Sequence, residues 1–149
     1  MIAVDTNVLV MAHRTESPRH EEAIRWLRHL AEGRTPWGLP VYCLAEFVRI
    51  VTHRRVFDPP STLEQALSAL GALLKSPSAR LLLPTPRHPA FLEEALIAGK
   101  ATGNLAFDAQ IAAVCRENGV DRILTEDRDF ARFRWLRLVD LGNEPGTVV

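Results

Sequence analysis

Thiol and zinc chemistry have little to work with in this sequence. Cysteine occurs only twice, at Cys43 and Cys115, far apart and among apolar neighbours. The expectation is two reduced thiols packed as small hydrophobes. No CxxC or HExxH pattern occurs, and His13, His20, His29, His53 and His88 have no ligand spacing, which argues against a Cys/His zinc site. Lysine is nearly absent: Lys75 and Lys100 are the only two, and neither sits in a phosphate-binding loop. No apolar run approaches a membrane span, and no basic segment followed by an apolar stretch and a cleavage site opens the chain. A cytoplasmic protein without membrane contact is therefore expected. Neither sign of charge dominates, with 18 Lys plus Arg against 18 Asp plus Glu. That balance gives no broad attraction to nucleic acid, so the distribution of charge matters more than its sum.

What is present is an ordinary globular composition, 47% hydrophobic and 24% charged over 149 residues, enough for one domain with a substantial core. Residues 1–141 are assigned to that domain and 142–149 to a loose tail. Met1 to Val4 reads as a buried strand and Thr6 to His13 as a short helix. Ser17-Pro18 reads as the N-cap and first position of a helix reaching about Glu32, with Ala23, Ile24, Leu27, Leu30 and Ala31 on one face. Trp37 to Leu39 is extended, Pro40 to about Arg54 helical, and Asp58-Pro59-Pro60 breaks the chain. Ser61 or Thr62 caps a helix to about Lys75, with Leu63, Ala66, Leu67, Leu70 and Leu74 inward. Two further helices are expected over 88–99 and 105–118, the second closed by Gly119, and strands at 80–83, 122–125 and 136–141. Short apolar strands alternating with amphipathic helices imply an α/β fold with a parallel sheet.

Against that frame several acids stand in apolar settings. Asp5 follows the wholly apolar opening strand, in MIAVDTNVLV. A buried carboxylate is costly unless a helix N-terminus, a basic group or a metal ion partners it. Glu46 lies inside the helical stretch CLAEFVRI, Asp108 in the first turn of the helix in NLAFDAQIAAVC, and Asp127 and Asp129 just beyond a strand in RILTEDRDF. Each has an ordinary reading: Asp108 complements a helix dipole, and Asp127 starts an Asx turn. Gathered at the carboxyl edge of a parallel sheet, where such sheets bind ligands, they would repel unless a hard divalent cation such as Mg²⁺ or Mn²⁺ joined them. That set, with no phosphate-loop Lys, Cys nucleophile or Ser–His pair, points to metal-assisted hydrolysis at phosphorus. Thr6, Asn7, Asn104 and Thr125 are candidates for orienting the ligands. Arg49 and His53, at i+3 and i+7 from Glu46, are candidates for holding substrate phosphates, with Arg54, Arg55, Arg128, Arg132 and Arg134 nearby in sequence.

DTNVLV, AEFVRI, GNLAFDAQIAA and LTEDRDF, in that order along nearly the whole chain, resemble the PIN-domain ribonucleases, and among them the VapC toxins of bacterial toxin–antitoxin pairs. The resemblance implies a three-layer sandwich with a small central parallel sheet flanked by helices. It implies RNA cleavage with Mg²⁺ or Mn²⁺, a homodimer, and inhibition by a cognate VapB-like antitoxin. By motif, Asp5, Glu46, Asp108 and Asp127 are the expected catalytic acids; Asp5, Asp108 and Asp127 are the expected metal ligands, with Glu46 and Asp129 as further candidates. Two other readings compete. A haloacid-dehalogenase-like phosphatase would use the DTN segment as its nucleophile motif, but Asn7 stands where a second Asp is needed. A non-catalytic nucleic-acid-binding module would be at odds with a cluster of carboxylates.

Overall fold

Ile2–Val4 (β1) is buried at every position, the pattern of a parallel strand covered on both faces. The computed structural model describes residues 1–148; Val149, the last residue of the tail expected to be loose, lies outside them. After β1 come α1 (Thr6–His13), α2 (His20–Glu32), β2 (Trp37–Pro40), α3 (Tyr42–Val51), α4 (Leu63–Leu74), β3 (Ala79–Leu82), α5 (His88–Gly99), α6 (Leu105–Glu117), β4 (Arg122–Leu124) and β5 (Arg137–Val139). The five strands pair in parallel in the order β3-β2-β1-β4-β5. The chain therefore builds outward from β1 on one side and returns through β4 to the other. That switch point lies at the carboxyl ends of β1 and β4, where open α/β sheets place their ligands.

The helices lie where the apolar periodicity put them, with shifts at the ends. The α2 helix starts at His20 rather than at Ser17-Pro18; the Ser17 carbonyl instead accepts from the His20 amide at 3.1 Å in a preceding turn. The α3 helix is shorter than 40–54, because Pro40 belongs to β2 and pairs with Leu82 of β3, and the helix is spent by Val51. Thr62, not Ser61, caps α4, in a reciprocal capping box with Gln65. Gly119, at φ 70°, follows the end of α6 in the left-handed region where glycine is least strained.

One expectation about packing is overturned. Of the α4 residues assigned inward, Ala66 and Leu70 are buried, but Leu63, Leu67 and Leu74 are 60%, 54% and 45% exposed. The stripe of leucines is wider than the face the core covers. Past β5, Leu141 is fully buried and its carbonyl accepts from the Trp26 indole at 3.2 Å. Pro145–Thr147 forms a 3₁₀ turn against α2.

The α5 helix is held close to the loop before β5 by Gly99. A Cβ built there would lie 2.5 Å from the ring of Phe133, which is fully buried and has no room to yield. Gly99→Ala is expected to cost about 1–3 kcal/mol through overpacking, read as a lower urea midpoint with unchanged slope. An unshifted midpoint would mean that α5 is free to move.

Candidate active site

Asp5 is where the first strand becomes the first helix. Its amide donates to the Leu124 carbonyl of β4 at 3.1 Å. Its carboxylate caps α1, Oδ1 accepting from the Thr6 amide at 2.7 Å, while Oδ2 accepts from the Thr125 hydroxyl at 2.7 Å. Thr125 is a hub: its Oγ1 also accepts from Asn7 Nδ2 at 3.2 Å and from the Asp127 amide at 2.9 Å. Asn7 Oδ1 in turn accepts from the Glu126 amide at 3.4 Å. The Thr6 hydroxyl donates to Glu46 Oε2 at 3.1 Å, joining the end of β1 to α3. Thr6 and Thr125 thus bind the acids to one another, and Asn7 braces Thr125.

Asp127 makes the Asx turn its sequence allowed, Oδ1 accepting from the Asp129 amide at 2.9 Å. That turn opens a 3₁₀ segment, Arg128–Arg132, and brings Asp129 alongside. Carboxylate oxygens of Asp108, Asp127 and Asp129 lie within 4.8 Å of one another. They line a cavity of about 640 Å³ together with Glu46, Arg49, Asn104, Leu105 and Phe107. Asp129, the less certain acid in sequence, is therefore inside the cluster. Asp5 is 5% exposed and does not line that cavity; it sits behind it, close enough for Glu46 and Asp108 to act on its charge.

The electrostatics follow from this crowding. The Asp5 carboxyl is raised to about 7, chiefly by burial and further by Glu46 and Asp108, against the lowering effect of the Thr125 and Thr6 hydrogen bonds. Asp108 is raised to about 6, by burial first and then by Asp127, Asp129 and Glu46. No basic side chain relieves the cluster closely among the described residues; Arg132 reaches only Asp129, at 3.8 Å on the surface.

The remaining candidates divide. Arg49 and Asn104 line the cavity, and Asn104 makes no capping bond with its side chain. His53 does not line it: α3 ends at Val51, so the helical spacing that aligned His53 with Glu46 no longer applies, and its Nδ1 accepts from the Arg55 amide at 3.1 Å. Phe107 was missed by sequence reasoning; its only signal was an aromatic one position before Asp108. A Ser–His contact, which the sequence did not suggest, does occur, His13 Nε2 and Ser61 Oγ being 2.9 Å apart. Arg14 donates to the same hydroxyl at 3.0 Å and Ser61 is buried, so it is a packing contact rather than a nucleophile. Cys43 and Cys115 are buried free thiols, Cys115 pushed up to about 12 by burial and then by the Asp5 charge, and are inert at neutral pH. As a phosphatase nucleophile Asp5 is unsuitable, being buried with both oxygens engaged.

Fold and site together define an α/β protein with an all-carboxylate centre at the switch point of a parallel sheet. The PIN domain matches residues 2–136, and the chain belongs to the PIN-domain family, within it to the VapC ribonucleases. Ribonuclease VapC43 of Mycobacterium tuberculosis is 43% identical over 92% of each chain, and ribonuclease VapC25 of the same organism is 34% identical over 92% of this chain and 96% of its own. Among solved structures, VapBC2 of Rickettsia felis bound to a promoter DNA fragment has a similar fold, with TM-score 0.68 at 20% identity over 94% of this chain and 98% of that one. VapC20 of Mycobacterium tuberculosis, a Sarcin-Ricin loop cleaving toxin, superposes with TM-score 0.65 at 22% identity over 88% and 93%.

Proposed function

We propose that the protein is an endoribonuclease dependent on Mg²⁺ or Mn²⁺ and the toxin half of a toxin–antitoxin pair. The observation that carries the reading is the Asp108–Asp127–Asp129 cluster in a chain 43% identical to VapC ribonucleases. The donor set fits the ion: all ligand atoms are carboxylate oxygens, which hard divalent cations prefer, and Asp108 is raised by burial first and then by the neighbouring acids, whose repulsion a cation would relieve. Asp108, Asp127 and Asp129 would hold it, with Glu46 facing the same cavity and Asp5 lending charge from behind. A bound cation supplies activation of water and neutralisation of the charge that builds on the phosphate.

The chain's own groups do the rest. Thr125 fixes Asp5 and the Asp127 amide in one geometry, so the acids need no reorganisation when substrate arrives. Thr6 holds Glu46 by one oxygen, leaving the other to orient water or accept its proton. Arg49 supplies the positive charge next to the acids that a neutral chain otherwise lacks, and would draw in the RNA backbone. Assembly as a homodimer in the cytoplasm, under control of a VapB-like antitoxin, completes the reading. Among the described residues no helix is long and apolar enough to cross a membrane. The exposed leucines of α4 supply an apolar surface for a protein partner.

Attack by water rather than by the ribose 2′-OH leaves 5′-phosphate and 3′-OH ends. Those ends, and loss of cleavage in EDTA with recovery in Mg²⁺ or Mn²⁺, are the expected result on total RNA, read by end-specific ligation. Cyclic 2′,3′-phosphates, or cleavage undiminished by EDTA, would overturn the mechanism.

A further inference from the structure

Beside the acids lies a second hollow. It has a volume of about 360 Å³ and is lined by Tyr42, Ala45, Gln110 and Phe107 together with Glu46 and Arg49. Glu46, Arg49 and Phe107 line both cavities. A chain with its phosphate on Arg49 therefore has the second hollow within reach of its next base. Phe107 is 64% exposed, although it adjoins Asp108 on the first turn of α6. An aromatic left bare at the rim of a site is an available stacking face. Gln110 follows one turn later on α6, and its amide carries both donors and an acceptor.

The Tyr42 side chain is held in place. The Tyr42 hydroxyl is 3.0 Å from His88 Nε2, and His88 Nδ1 is 2.5 Å from Glu117 Oε2. The other Glu117 oxygen accepts from the Thr85 amide at 2.6 Å. Three elements, α3, α5 and α6, are thereby tied at one point, and the Tyr42 ring is fixed before any ligand arrives. A fixed Tyr42, an exposed Phe107 and the Gln110 amide lining one hollow of about 360 Å³ supply the room and chemistry of a seat for a flat heterocycle. The exposed Ile97 and Leu83 line neither hollow and do not share this relation to the acids.

We propose that this hollow seats one unpaired RNA base next to the scissile phosphate, stacked on Phe107 and read at its edge by Gln110, so that the enzyme selects its cleavage site there. The proposal rests on the endoribonuclease reading above, and it requires a single-stranded substrate, because a paired base cannot enter.

The test uses the full chain with Mn²⁺ and short single-stranded RNAs spanning a mapped cleavage site, with an abasic nucleotide placed in turn on each side of the scissile phosphate. One of those positions is expected to lower kcat/KM about ten- to a hundredfold, the worth of one stacked base. Phe107→Ala should cut the intact RNA as poorly as the abasic one, and Phe107→Tyr should restore the difference. Binding of the same RNAs, followed by fluorescence anisotropy with Ca²⁺ replacing the active ion, separates the two ideas. Base-dependent binding through Phe107 without any cleavage would overturn the enzyme reading and leave the seat standing. Cleavage in which Phe107→Ala keeps the full difference between intact and abasic RNA would overturn the seat alone. A Phe107→Ala protein that falls from dimer to monomer by light scattering, with that difference intact, would assign this face to a second copy of the chain and overturn the seat as well.

Discussion

Asp108→Asn is expected to raise the melting temperature of the metal-free protein while lowering its RNA cleavage about 10²–10³-fold or more, the scale of removing one preorganised charged group from a reacting centre. The opposite signs have one cause. Asp108 is pushed up to about 6 by burial and by the negative charge of Asp127, Asp129 and Glu46, so its ionised form costs stability when metal is removed. Asparagine keeps the shape and removes that cost, and with it an oxygen ligand of the cluster. A ligand that binds only the folded state stabilises by RT ln(1 + [L]/Kd), about 2.7 kcal/mol at a hundredfold excess. The parent should show that gain in a Mn²⁺ titration and Asp108→Asn should lose most of it. Thermal melts in EDTA and across the titration decide. Equal metal-dependent gains in both proteins would remove Asp108 from the ligand set, and a mutant destabilised in EDTA would make it a structural group.

The second large effect concerns Asp5 and pH. The folded carboxyl lies at about 7 against 3.8 for the ordinary group. Well below pH 3.8 it is protonated in both states and contributes nothing. As pH rises toward 7 the unfolded chain has already released the proton that the folded chain still holds, so stability falls across that window. A shift of this size corresponds to a loss on the order of 4 kcal/mol at pH 8. Asp108 adds a loss of the same sign between the ordinary carboxylate range and about 6. His13, held below its ordinary value mainly by burial, works the other way. The variant Asp5→Asn isolates the Asp5 contribution. Its amide meets a Thr125 hydroxyl that already accepts from Asn7 and Asp127, a cost that does not vary with pH. In EDTA the stability difference between parent and variant should therefore swing in the variant's favour from pH 5 to pH 8. Parallel curves would show that Asp5 titrates normally in the fold.

The site was legible where it depended on strands, and less so where it depended on turns. Asp5 and Asp127 follow wholly or largely apolar strands, and period and burial alone put them at one edge of a parallel sheet. Asp129 depended on the direction of a 3₁₀ turn, Arg128–Arg132, which has no periodic signature. His53 was aligned with Glu46 by assuming a helix one turn longer than α3, a boundary error carried into a site. The α4 leucines show another limit. A helix carries its apolar stripe in its sequence, but whether the core is broad enough to cover all of it depends on neighbours far away in the chain. The Glu117–His88–Tyr42 tie belongs to no motif, because it arises where α3, α5 and α6 meet; Phe107 stands inside GNLAFDAQIAA, but nothing in that stretch marks its ring as exposed.

The strand order has a consequence for how the protein is made. Thr125 follows Asp5 by 120 residues, and β1 pairs with β4 only when that later segment has been made. Until then one edge of the central strand is bare, the Asp5 amide lacks its Leu124 acceptor and its carboxylate lacks Thr125. A nascent chain in which that segment has not been made therefore has no assembled acid cluster. A chain ended before it lacks β5 and two of the three clustered acids.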